Sequence, residues 1–68
     1  MELSQKRKML GMALYAKRCS KQTTYTILTV LENDDQIDDL AWYMGEHPKA
    51  SENELIAVAF QLVKDAHS

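Results

Sequence analysis

Few residues in this chain break or brace a fold. It has one cysteine, one proline and two glycines among 68 residues. A single cysteine, Cys19, excludes an internal disulfide and reads as a small apolar residue in a reducing cytosol. With one proline and two glycines the chain has few places to turn, which favours helices joined by short connections. No apolar run approaches the roughly 20 residues of a membrane span. The stretch Met9–Ala16 is short, returns to basic residues and lacks a small-residue cleavage signal, so no signal peptide is expected. His47 and His67 lie far apart with no Cys or His at ligand spacing, so neither a metal nor any other cofactor is expected. A chain this short buries only about 60% of its unfolded surface. Small scaffolds usually add a disulfide, a metal or a second subunit. With the first two gone, a homodimer is the expected support. These observations predict a single cytoplasmic domain over residues 1–68.

The charge is sorted by position. Residues 1–21 hold six cations against Glu2 alone, and residues 22–68 hold two cations against nine carboxylates. The two parts therefore stand at +5 and −7 and sum to −2. Such asymmetry is an argument about association rather than fold.

The pattern predicts an all-α bundle of about four helices, near 3–20, 22–32, 35–44 and 52–66. In the first, Met9, Met12, Ala16 and Cys19 follow one helical face. Leu3, Leu10 and Leu14 make a second apolar line beside it, with Arg7, Gly11 and Arg18 on the polar side. So wide an apolar arc calls for more than one neighbour. Lys6, Arg7 and Lys8 oppose the dipole at the helix start, which suggests a use beyond stability.

The second segment is rich in β-branched residues, which pull toward strand. Alternation is poor, however, and Thr24, Ile27, Leu28 and Leu31 share a helical face, with Ser20 or Thr23 as the N-cap. In the third, Asp34 or Asp35 caps and Ile37, Leu40, Ala41 and Met44 form the stripe. Gly45 then supplies a left-handed stop ahead of Pro48. In the fourth, Ser51-Glu52-Asn53-Glu54 reads as a capping box, followed by a broad apolar face through Leu55, Ile56, Ala59, Phe60, Leu62, Val63 and Ala66.

Candidate chemistry is thin. The run Asp34, Asp35, Asp38, Asp39 fails the calcium-loop pattern in both registers. His47 has no nucleophile in its sequence context. A chain this short is not expected to form a pocket of about 300 Å³ or more alone, so an enzyme is not expected. Trp42 projects off the third helix's stripe with Tyr43 at its border, and a tryptophan placed so is a candidate anchor. The expected function is a non-catalytic adaptor or inhibitor, acting through helical faces on a protein partner. Trp42, Tyr43, Leu10 and Leu14 are its contact residues. In style the chain resembles small proteins encoded by bacteria and their phages.

The alternative lies in residues 10–32. A helix, a short turn and a second helix opening with Gln, Thr and Tyr is how a helix-turn-helix offers side chains to DNA. Ser20-Lys21-Gln22-Thr23 resembles the entry to the recognition helix of lac-repressor-type regulators. The resemblance covers about a dozen residues. It departs at Arg18, where that motif uses glycine, and at Thr24, where it uses an apolar core residue. It implies nucleic-acid contacts from Lys17, Arg18, Lys21, Gln22, Thr23 and Tyr25.

Overall fold

The computed structural model describes residues 4–68. Four helices follow in order: α1 (Gln5–Ala16), α2 (Lys21–Val30), α3 (Asp34–Glu46) and α4 (Glu52–Ala66). The all-α, four-helix architecture is the one the sequence predicts, and no strand occurs among the described residues. None of these helices is long and apolar enough to cross a membrane. The predicted start of the first helix at residue 3, and Leu3 in its apolar line, lie outside the described residues.

Local chemistry sets each boundary. Ser4 caps α1 by accepting the Arg7 N–H at 3.1 Å. That helix stops at Ala16, four residues short of expectation, because the chain closes a Schellman turn. Arg18 N–H donates to the Tyr15 carbonyl at 2.9 Å and Cys19 N–H to the Leu14 carbonyl at 3.1 Å. Arg18 takes φ 64° there, the left-handed conformation such a turn requires. Ser20 then caps α2 by accepting the Thr23 N–H. Leu31 turns extended at φ −67°, ψ 130°, and ends α2 just after Val30.

Two expectations are corrected in α3. Asn33, not Asp34 or Asp35, is the cap, accepting the Gln36 N–H at 2.9 Å. Gly45 is not the stop: it has no positive φ, and the helix runs on to Glu46. In α4 the capping box forms by half. The Ser51 hydroxyl accepts the Glu54 N–H at 3.2 Å, while the Glu54 carboxylate accepts the Tyr43 hydroxyl instead.

Each helix packs on two others. α1 lies against α2 and α3, and α4 lies against α2 and α3; the backbones of the diagonal pairs stay apart. The polar links show which ends meet. Ser4 reaches Asp34 and Lys6 reaches Asp38, so the starts of α1 and α3 adjoin. Ser20 meets Glu52 and Glu32 meets His67, so α2 and α4 also run alongside in the same sense. The molecule is thus two helical hairpins laid together. Between them sit Leu10, Leu14, Ile27, Leu31, Ile37, Leu40, Met44, Leu55 and Ala59, all buried. Ala41, Phe60 and Ala66, expected on core faces, are exposed. With only two neighbours, a helix of this ring has less than its whole apolar arc covered.

Candidate interaction groove

The uncovered part of α1 is the key to the site. Leu10 and Leu14, predicted as partner contacts, are 2% and 0% exposed. They belong to the chain's own core and are corrected on that account. The branched leucines face inward, and the methionine line beside them is left outside: Met9 and Met12 are exposed, Met12 at 71%.

Met12 does not stand alone. It lies in an open groove of about 700 Å³ lined by Gly11, Tyr15, Cys19, Thr24, Tyr25 and Leu28, with Arg7, Lys8 and Lys21 beside them. The groove runs along the outer seam of α1 and α2. Lys8, Met12 and Tyr15 come from one face of α1, Lys21, Thr24, Tyr25 and Leu28 from one face of α2. Tyr15 and Tyr25 are 78% and 72% exposed. At the floor, Gly11 lets the two helices close together: a Cβ there would stand 3.3 Å from Leu28 Cδ1. The volume exceeds what the size argument allowed for so short a chain, because the space is an open trough rather than an enclosed cavity.

Its electrostatics are one-signed. All three charged side chains lining it are cations, with no carboxylate lining it among the described residues. The Arg7 guanidinium donates to the Leu28 carbonyl near the end of α2, so Arg7 lies in the α1–α2 seam and not on a free polar side. The Lys6 ammonium bonds Asp38 at 2.6 Å, which raises its pKa above the usual lysine value. Two of the three cations that oppose the α1 dipole are therefore tied to neighbouring helices. Lys8 makes no such contact with the described residues and stands at the groove.

The groove holds little reactive chemistry. Burial is the first cause pushing the Cys19 thiol above its ordinary pKa, with the nearby Glu52 charge adding to it. A thiol held protonated in this way is a poor nucleophile. No carboxylate or histidine lines the groove among the described residues.

The other predicted residues are dispersed. Trp42 projects away from the core as expected, 66% exposed, on the acidic helix α3 and outside the groove. Tyr43 is half-buried against the core, its hydroxyl bonded to Glu54 and its ring 4.3 Å from that of His47. The bond to Glu54 raises its pKa above that of a free tyrosine. It joins α3 to α4 and does not stand free beside Trp42.

Of the residues implied for DNA, Lys21, Gln22 and Tyr25 lie exposed on one face of α2 and Arg18 is exposed in the turn. Thr23 is buried beneath them and is corrected as a base contact. The Lys17 ammonium bonds the Pro48 carbonyl at 2.6 Å. The Glu52 carboxylate accepts the Ser20 N–H at 2.6 Å at the start of α2. That bond, with a second from the Thr23 hydroxyl, holds the Glu52 pKa below the usual glutamate value. Met12, Tyr15 and Leu28 were not singled out as contacts from the sequence; the signal available was their place on the outer apolar line of each helix. Compared with protein-family models, curated proteins and solved structures, the chain matches none.

Proposed function

We propose that this protein is a small non-catalytic interaction module of adaptor or inhibitor type, whose partner docks on the α1–α2 face. One observation carries the reading: an apolar groove with exposed Met12, Tyr15 and Tyr25 and a purely cationic margin. Exposed methionine and tyrosine suit recognition, because Met adapts its shape and Tyr offers a large rigid surface with a polar tip. A photo-crosslinking residue at Tyr15, compared with one at Trp42, tests it in cells that make the protein. A discrete adduct with another macromolecule from position 15 is expected. Adducts from position 42 alone, or from neither, overturn the reading.

A second reading, a helix-turn-helix DNA-binding regulator, is favoured by Arg18. It takes the positive φ that the motif's glycine supplies, so the departure noted in sequence does not disrupt the turn. Lys21, Gln22 and Tyr25 then line one exposed face. The Glu52 carboxylate at the start of α2 opposes it, because a phosphate would meet like charge there. With Lys8, Arg18 and Lys21 on phosphates, log affinity should fall with log salt at a slope of about −2.7. A gel-shift series on mixed fragments that shows no complex at low salt removes this reading.

A further inference from the structure

We infer that the occupant of the α1–α2 groove is an acidic amphipathic helix of a protein partner, carrying apolar anchors at a 3–4 spacing with Asp or Glu on its flanks. The inference rests on the groove being the docking face and adds what docks there.

Length is the first argument. Lys8 to Tyr15 spans about 10 Å of helix axis, two turns, which is also the reach of an i, i+4, i+7 triplet on a docked helix. Lining is the second. Met12, Cys19, Leu28 and the bare Gly11 offer an apolar floor. The described residues offer no strand edge for an extended peptide to join. Charge is the third. Arg7, Lys8 and Lys21 border this floor without a carboxylate among them, so acidic flanks gain on both sides and basic flanks are repelled.

The same charges exclude a second copy docked groove to groove. That arrangement would set six cations against one another. The acidic α3 of a second copy fits poorly as well. Its apolar row, Ile37, Leu40 and Met44, is buried in its own core, leaving Trp42 and Ala41 outside. A nucleic acid would satisfy the cations but leave the apolar floor unfilled.

The test is selection from a display library of helices with a fixed apolar face and flanks randomised among Asp, Glu, Lys, Arg and Ser. Enrichment of acidic flanks is expected. The selected peptide should shift the amide resonances of Lys8, Gly11, Met12, Tyr15, Lys21 and Tyr25. The double reversal Lys8→Glu with Lys21→Glu should weaken it at least tenfold, and Lys49→Glu should not. Enrichment of neutral or basic flanks, shifts centred on Trp42, or no loss on charge reversal overturns the inference. So does a dimer formed through the groove, or duplex DNA occupying it in place of the peptide. If no helix is enriched while position 15 still crosslinks to a partner, the acidic-helix inference falls and the groove stands; failure of both removes the groove.

Discussion

Arg18 holds φ 64° in the turn that ends α1, and two backbone hydrogen bonds keep it there. A side chain in the left-handed region costs about 1 kcal/mol or more, which glycine avoids at the expense of a freer unfolded chain. Arg18→Gly should therefore stabilise the protein by about 0.5–1 kcal/mol, read as a higher urea midpoint with unchanged slope. Gly45 presents the reverse case. It sits inside α3 at negative φ, and a Cβ there would meet nothing within 4 Å. Gly45→Ala should stabilise by about 0.8–1 kcal/mol through helix propensity alone. For a chain of this size that raises the melting temperature by about 4–8 °C, measurable by circular dichroism. The sequence marked Gly45 as a stop because Pro48 follows closely. The helix runs past it because His47 N–H still reaches the Tyr43 carbonyl, and one more residue intervenes before the proline.

At the scale of elements, the caps made the helices legible. Ser51 caps where the sequence placed it, Ser20 is the one of the two expected caps that starts α2, and α4 occupies the expected span. The threonine-rich α2 is helical despite its propensity: Thr23 and Ile27 face the core, and the start is held by Ser20 from within and Glu52 from α4. That last contact is long-range and left no trace in the local pattern. It has a pH signature. Because Glu52's folded pKa is lowered, its contribution is complete above the usual glutamate value of about 4.3 and is lost as pH falls through the lowered value. Glu52→Gln should therefore be less stable than the parent at neutral pH, with the gap closing in acid. Urea midpoints of the pair from neutral pH down to about pH 3 check this; a gap that stays constant contradicts it.

At the scale of the molecule, the groove was hidden because periodicity reports that a face is apolar, not whether a neighbour covers it. α1 carries two adjacent apolar lines, and a ring of four helices covers one of them. Leu10 and Leu14 went inward, so neither is available as a partner contact. Among the described residues the large apolar side chains exposed outside the groove are Met9, Trp42 and Phe60, and at the groove like charge opposes self-association. Association through the groove should strengthen as salt screens those cations, read as molar mass from light scattering across concentration. A tight dimer at low salt that is lost on Tyr15→Ala would contradict the assignment of charge at that face. The sorted charge of the sequence is now local: the acidic side is α3 with the first turn of α4, the basic side is the α1–α2 seam.

Gly11 makes that seam a compromise. Alanine at this position would strengthen α1 by up to about 1 kcal/mol, and Leu28, whose contact is through a flexible side-chain tip, could give the few tenths of an ångström required. The same methyl group would shallow the trough between Met12 and Leu28. Gly11→Ala should thus raise the melting temperature while weakening whatever docks there, two readouts moving in opposite directions. The bare backbone at residue 11 would then be a vulnerability kept for use: thermal resilience forgone so that another molecule has somewhere to rest.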